Sequence, residues 1–198
     1  MVRELATNAA LRGKVIPLAF HVDYWDRLGW RDPFSAADWT RRQQLYAAAL
    51  HLPTAYTPQM VVNGARQFIG SNARALDAAL ADASKQPPFG SVRVSATRDN
   101  ALHISVSAKV TQPADVVLVV FENGIRTKVM AGENSGRTID NDAIVRRLQR
   151  VATGSVDTTV AIPLDKAWNP SRVGVAVFLQ DRKTLAIRGA AVADGIAP

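Results

Sequence analysis

An almost continuous apolar segment, followed at once by polar and aromatic side chains, constrains the fold of this chain more than any other feature. The segment covers residues 14–22 (KVIPLAFHV), and such a run is typical of a strand buried on both faces of a parallel sheet. His21, Asp23 and Asp26 lie at its carboxyl end. Because open α/β sheets bind ligands at the carboxyl ends of their strands, we expect a functional site here.

Helices and short strands alternate through the rest of the first 86 residues. The pattern predicts a helix, two strands and a second helix over residues 36–51, 60–63, 67–69 and 71–83. Ser35 and Ser71 are the predicted N-caps of the two helices. Asn63-Gly64 between the strands is a strong hairpin signal.

The composition changes at residues 85–90, where Pro87-Pro88 cannot continue a helix. We therefore place a domain boundary there. Short apolar runs follow, with the strict alternation of a half-buried strand over residues 102–109. They predict strands over residues 91–96, 102–109, 116–122, 126–130, 156–162, 173–180 and 185–192. A helix over 141–150 is predicted from the spacing of Ile144, Val145 and Leu148, and the whole pattern favours a small antiparallel sandwich.

Composition and charge exclude several classes of protein. Hydrophobic residues make up 47% and charged residues 21%, as in an ordinary globular protein. The net charge of +7 comes from scattered arginines and lysines without interleaved aromatic residues, so we do not expect a nucleic-acid partner. The sequence has no apolar run long enough for a membrane span. It contains no cysteine, which excludes disulfides, thiol catalysis and thiolate metal sites.

Several segments, in order along the chain, closely resemble the DUF1223 family. They are FHVDYWDRLGWRDPF, YTPQMVVNG, the FIGS turn, GENSGRT and NDAIVRRL. The resemblance implies a thioredoxin-like α/β domain over residues 1–86, followed by a β-rich, antiparallel, sandwich-like domain over residues 90–198. Proteins of this family are generally exported, so the resemblance also implies a periplasmic or secreted location when a signal peptide precedes this sequence. If Met1 is the native start, we expect a cytoplasmic protein, since residues 1–12 are interrupted by charges.

The resemblance also implies a strand and a CxxC turn before the first helix, and this sequence begins after both. The missing strand would lie between residues 15–22 and residues 60–63. Either the start codon lies further upstream, or the segment was lost and the sheet was repaired. In the second case we expect the two neighbouring strands to pair directly, or an exposed edge to recruit another chain.

Thr57-Pro58 matches the position at which thioredoxin-like proteins carry a cis proline. The resemblance therefore implies a cis bond here, although an ordinary trans proline would also fit the start of a strand. A cis proline would present the Thr57 backbone to an extended peptide, which could add to it as a short strand.

Three readings are open for His21, Asp23 and Asp26. They can be structural, with the imidazole hydrogen-bonded and the carboxylates capping the turn. They can form a proton shuttle beside a reactive thiol, since a carboxylate fixes the tautomer of a histidine and raises its pKa. They can also be metal ligands, but so few ligands at close spacing are a weak signal, and we predict no metal site.

The remaining candidates are aromatic side chains and one loop. Tyr24, Trp25, Trp30 and Trp39 either pack beneath the loop and against the helix or form an apolar rim for a peptide. The loop over residues 132–138 either binds an anion with Arg137 or is a tight turn with Glu133 and Arg137 paired.

These observations lead to two hypotheses about function. The full-length gene product is an exported thiol–disulfide oxidoreductase, with its cysteines upstream of Met1. Alternatively, the chain is a non-catalytic module that binds a peptide or an envelope protein. The chain as written is redox-inactive, because it has no thiol, and we expect no cofactor.

Overall fold

The computed structural model describes residues 1–132 and 135–197, and this part of the chain is mainly antiparallel β-sheet with few helices. The α-helices are α1 (Val2–Thr7), α2 (Ala37–Ala49) and α3 (Ala73–Ser84). The strands are β1 (Gln59–Val62), β2 (Arg66–Ile69), β3 (Gly90–Arg98), β4 (Ala101–Val110), β5 (Asp115–Glu122), β6 (Ile125–Lys128), β7 (Thr138–Asn141), β8 (Ile144–Thr153), β9 (Val156–Pro163), β10 (Val173–Gln180) and β11 (Ile187–Ala193). No helix of the described residues is long and apolar enough to cross a membrane.

Two antiparallel sheets form a sandwich in the C-terminal part. One sheet has the order β3-β4-β9 and the other the order β11-β10-β5-β8. The core between them includes Leu102 and Ile104 of β4, Leu118 of β5 and Val175 of β10, all fully buried. The alternation predicted for residues 102–109 is confirmed, since His103 is exposed between buried neighbours. Among the described residues, this is the largest of the apolar clusters.

The two central strands of the four-stranded sheet are buried on both faces, which explains why β5 and β10 are apolar at nearly every position. The second face of this sheet carries Val119 and Phe178, and the N-terminal part of the chain covers it with Trp39 and Phe20. The rings of Phe20 and Trp39 meet edge to face, with centroids 5.3 Å apart. The N-terminal part is therefore a covering layer on the sandwich, and we use that name for residues 1–49 below.

The prediction that residues 14–22 form a strand of a parallel sheet is wrong. Only Ala19 pairs with β8, in an isolated parallel bridge to Ile144. The Ala19 N–H donates to the Ala143 carbonyl at 2.7 Å, and the Val145 N–H donates to the Ala19 carbonyl at 2.9 Å. The segment is apolar because alternate side chains, Ile16 and Phe20 among them, pack on the four-stranded sheet. A segment that packs on the face of a sheet therefore shows the same apolar sequence pattern as a strand buried inside a sheet.

The helix predicted over residues 141–150 is also wrong, because this segment is the edge strand β8. Ile144, Val145 and Leu148 fit a helical period, but the neighbouring strand β5 supplies backbone partners along the whole of β8. Tertiary pairing therefore overrides the local pattern.

The predicted hairpin is confirmed. Asn63 and Gly64 have φ values of 48° and 65°, and the Ala65 N–H donates to the Val62 carbonyl at 3.0 Å. The turn lies on the β10–β11 connection, where the Ile187 N–H donates to the Asn63 carbonyl at 2.7 Å. Helix α3 packs on the hairpin through Leu76.

The two predicted N-caps are wrong by small displacements. The Asn72 side chain, not that of Ser71, accepts the capping hydrogen bond from Ala75 N–H at 3.0 Å. Ser35 does not cap α2, since its hydroxyl donates to Asp26 Oδ2 at 2.6 Å. A hydrogen bond within the loop thus engages the Ser35 side chain, which the sequence pattern assigns to the N-terminus of the helix.

Candidate functional site

The loop over residues 21–36 connects the segment 14–22 to α2 and carries most of the predicted site residues. At its start, His21 Nδ1 lies 2.6 Å from Asp32 Oδ2. Asp32 Oδ1 accepts from the Phe34 N–H at 2.9 Å, so both carboxylate oxygens are occupied. An ionised carboxylate only accepts hydrogen bonds, so His21 Nδ1 carries the proton and Nε2 is left for a second partner.

The electrostatics of the pair favour the ionised carboxylate. Partial burial raises the pKa of Asp32, but the hydrogen bond from His21, the charge of His21 and the Phe34 N–H together hold that pKa below its ordinary value. Asp32 is therefore charged at neutral pH, and it holds one orientation of the imidazole.

Among the described residues, neither Asp23 nor Asp26 forms a hydrogen bond or ion pair with the His21 side chain. Asp23 joins the loop to α2, and Asp26 joins two parts of the loop. Asp23 Oδ1 accepts from the Thr40 hydroxyl at 2.6 Å. Asp26 Oδ1 accepts from the Asp32 N–H at 3.1 Å, in addition to the Ser35 bond. Both carboxylates line a shallow depression of about 580 Å³ together with Arg27. Their contacts match the structural reading of these residues.

Tyr24 and Trp25 connect the loop to the segment before β1. Trp25 Nε1–H donates to the Thr57 hydroxyl at 2.9 Å, while 48% of the Trp25 surface is exposed. The Tyr24 hydroxyl donates to Gln43 Oε1 at 3.0 Å, and Gln43 Nε2 donates to the Tyr56 carbonyl at 2.8 Å. The Thr57-Pro58 bond is cis, as the resemblance implies. An exposed indole is thus held beside Thr57-Pro58.

The backbone of β1 has one open edge. The Gly70 N–H donates to the Pro58 carbonyl at 2.8 Å. Because hydrogen-bonded residues alternate along an antiparallel strand, Met60, two residues further on, also bonds to β2. The N–H and C=O groups of Gln59 and Val61 then point away from β2. Within residues 1–132 and 135–197 these groups have no backbone partner. The strand therefore has free donors and acceptors next to Trp25 and Thr57.

Phe34 joins the loop to the sandwich. Its ring lies edge to face with His21, with centroids 5.7 Å apart, and the guanidinium carbon of Arg146 lies 5.2 Å from its centroid. Arg146 Nε lies 3.7 Å from Glu122 Oε2, and both side chains are largely buried. The position of His21 thus depends on a contact with strand β8.

Trp30 lies against the connection between β6 and β7, and Arg137 lies within that connection. The backbone of Gly132 approaches the loop so closely that a Cβ there would lie 3.3 Å from the Leu28 carbonyl and 3.4 Å from Trp30 Cβ. Arg137 lies in the connection between β6 and β7, where its carbonyl accepts from the Val129 N–H at 2.9 Å. The predicted Glu133–Arg137 pair includes a residue outside the described part of the chain.

Sequence reasoning missed two residues of this site. Asp32 precedes Pro33 and makes an Asx turn to Phe34, so the Asp-Pro signal could have identified it. Gln43 lies on α2 without any local signal, because its role depends on the tertiary packing. In the described residues, no three His, Asp or Glu side chains come together as a metal site would require.

The fold and the site together define a β-rich protein with a cysteine-free site on a loop and an open hairpin edge. The chain belongs to the DUF1223 family, "Protein of unknown function", whose family model matches residues 1–180. Among solved structures, the crystal structure of protein AGR_C_4864 from Agrobacterium tumefaciens is similar, with 27% sequence identity and a TM-score of 0.76. The similarity covers 98% of this chain and 86% of that one. Comparison with curated proteins gives no significant match.

Proposed function

We propose that this chain is a thioredoxin-like, non-catalytic binding protein that takes an extended peptide as an added strand along β1. The open edge formed by Gln59 and Val61 is the observation that carries this proposal. The thioredoxin-like reading is supported by the order of elements after α2, namely a hairpin followed by a helix that packs on it. In that reading the outer edge of β1 is the place of the strand missing from this sequence.

Hydrogen bonding to the main chain supplies part of the affinity in this form of recognition. A peptide strand would pair with the N–H and C=O groups of Gln59 and Val61, which continue the ladder of the hairpin. Such groups exchange water for peptide partners, so each bond adds only about 0.5–1.5 kcal/mol. Side-chain contacts must contribute the rest.

Trp25 is the side chain best placed to do so. Its indole is half exposed, and its N–H is already satisfied by Thr57. The ring lies 5.3 Å from that of Tyr24, centroid to centroid. A rigid aromatic surface beside a strand edge favours a peptide with an apolar or aromatic residue at the facing position.

The substitution Val61→Pro tests the strand edge. It removes an N–H that points away from β2, so the bonds between β1 and β2 are kept. We expect a pooled library of capped heptapeptides to shift the amide signals of residues 57–62 in the unmodified chain, and V61P to abolish these shifts. The measurement is a ¹⁵N-correlated NMR titration, with peptides identified afterwards by mass spectrometry.

The matched control is Ile69→Pro, because Ile69 is the partner of Gln59 and its N–H points to the opposite edge of the hairpin. I69P should bind as the unmodified chain does. Shifts that persist in V61P, or that vanish equally in I69P, would contradict strand addition along β1.

A thiol–disulfide oxidoreductase is the second proposal, for a longer product of the same gene. The observation that favours it is the His21–Asp32 pair, whose free Nε2 could accept or return a proton beside an upstream thiol. The test is insulin reduction with dithiothreitol by an upstream-extended form carrying the two cysteines. Inactivity of that form removes this proposal, whereas the peptide titration of the present chain is unaffected by it.

A further inference from the structure

A cavity of about 380 Å³ lies at the other end of the hairpin from Thr57. It is partly open to solvent and is lined by the hairpin turn, by α3 and by β11, so both parts of the chain contribute to its walls. Pockets for small molecules have volumes of about 300–1,000 Å³ and often lie between structural units. The volume of this cavity is therefore within the range of small-molecule sites.

The charges at the cavity leave one positive charge in excess. Arg66 pairs with Asp82, with 3.1 Å between Nη2 and Oδ2. Arg188 is the third charged residue of the lining, and its guanidinium carbon lies 5.2 Å from the centroid of the Phe89 ring. In residues 1–132 and 135–197 the Arg188 side chain has neither a hydrogen bond nor an ion pair. The donors of a guanidinium held against an aromatic ring are thus available to an anion.

The remaining walls are largely apolar. Helix α3 contributes Ala79 and Ala83, β1 contributes Val62, and β11 contributes Ile187. Small side chains on the helix leave the space open, and Ala79 and Val62 are almost completely buried. An aliphatic chain of a ligand would replace water against these methyl groups, with a favourable free energy proportional to the apolar area removed from water.

We infer that this cavity binds a small organic carboxylate with an aliphatic tail, the carboxylate on Arg188 and the tail against Ala83 and Ile187. One excess positive charge matches a monoanion, and a planar guanidinium matches a carboxylate with two parallel hydrogen bonds. A dianionic phosphate would leave a negative charge without a partner in this lining. The site is separate from the β1 edge and does not rest on peptide binding.

Hexanoate is a suitable probe, with hexan-1-ol and hexylamine as controls of the same chain length. We expect hexanoate to give saturable shifts of the methyl signals of Ala83 and Ile187 in an NMR titration, and the two controls to give none or much weaker ones. Arg188→Gln should raise the Kd for hexanoate by about tenfold or more, because a charge-assisted hydrogen bond is lost. Arg93→Gln is the matched control, since Arg93 is exposed on β3, and it should leave the Kd unchanged.

A second substitution fills the cavity and keeps the charges. Ala83→Leu should prevent hexanoate binding while thermal unfolding shows a folded protein. Equal shifts with hexanoate and hexan-1-ol, an unchanged Kd in R188Q, or full binding by A83L would each overturn the inference. Val61→Pro should bind hexanoate normally, which separates this result from that of the peptide titration.

Discussion

His21 and Asp32 form a part-buried imidazole–carboxylate pair. They lie eleven positions apart, and Pro33 and Phe34 bring the carboxylate back to the imidazole. The sequence offers Asp23 and Asp26 as carboxylate partners of His21, and on a strand Asp23 would share its face, because alternate residues of a strand point to the same side. The backbone at 21–23 is not a strand, so that rule does not apply there. Asp23 instead binds Thr40.

Asp32→Asn should reduce the dependence of the free energy of unfolding on pH in the acidic range. The folded pKa of Asp32 is lowered, so the ion contributes stability that is complete above the unfolded pKa of about 3.9 and is lost as the pH falls through the folded pKa. We expect D32N to lose about 1 kcal/mol at pH 7, a low value because the site is partly exposed, and to differ less from the unmodified chain below pH 4. The measurement is urea unfolding between pH 2 and 7.

Asp157→Asn is the control for that prediction. Asp157 is an exposed carboxylate on β9, and the contacts of the described residues give its side chain no hydrogen bond. D157N should follow the unmodified chain at every pH. A constant difference between D32N and the unmodified chain down to pH 2 would show that the ionised Asp32 does not account for the effect.

Helices, strands and turns were predictable from the sequence where residues close together in the chain determine the conformation. The hairpin follows from Asn63-Gly64, which needs no tertiary contact, and the alternation in β4 identifies its buried face. The segment 14–22 and the strand β8 were not predictable, because each takes its conformation from a strand or sheet far away in sequence. The open edge of β1 was predicted only as one of two outcomes, and it results from the absence of a neighbouring strand.

Gly64→Ala tests how tightly the hairpin element is docked. A Cβ at Gly64 would lie 2.0 Å from the Leu185 carbonyl oxygen, which is backbone and cannot rotate away. We expect G64A to destabilise the protein by about 2–4 kcal/mol and to shift the amide signals of Asn63 and Ile187, since the turn must leave the β10–β11 connection. Denaturant unfolding and NMR spectra measure both effects.

Gly154→Ala is the matched control at the element scale. Gly154 has a φ of 88°, and nothing lies within 4 Å of a Cβ built there. This substitution carries the backbone cost alone, about 1–2 kcal/mol. A loss in G64A no larger than that in G154A would mean that the close approach to Leu185 is relieved by a small adjustment.

At the scale of the whole molecule, the four-stranded sheet connects the two parts that the sequence predicts as separate domains. Its outer face bears Val119, Phe121 and Phe178, and the covering layer removes these side chains from water. A fragment with residues 87–198 alone would expose them as a contiguous apolar surface. The boundary at 85–90 stays a prediction; it falls between α3 and β3, and the apolar cluster on the outer face of the sheet takes residues from both sides of it.

We therefore expect the fragment 87–198 to self-associate or to bind a hydrophobic dye, and the full chain to unfold in a single transition. Analytical ultracentrifugation and dye fluorescence measure the first, and calorimetry measures the second. Replacing Val119 and Phe178 by Thr in the fragment should restore the monomer. A soluble, monomeric fragment without these changes would show that the covering layer is dispensable.

Burial of one sheet on both sides has a consequence for any laboratory evolution of this protein. Residues 21–36 belong to the covering layer that keeps the sheet away from solvent. A variant whose loop is less well packed will therefore also expose more apolar surface and be more prone to aggregate. Selection of loop variants for binding to a new target would therefore enrich sequences that aggregate, because an aggregated variant is retained on the target in the same way as a true binder. Libraries built on this scaffold should keep Phe20 and Trp39 fixed and place diversity around Trp25, which lies on the solvent side of the layer.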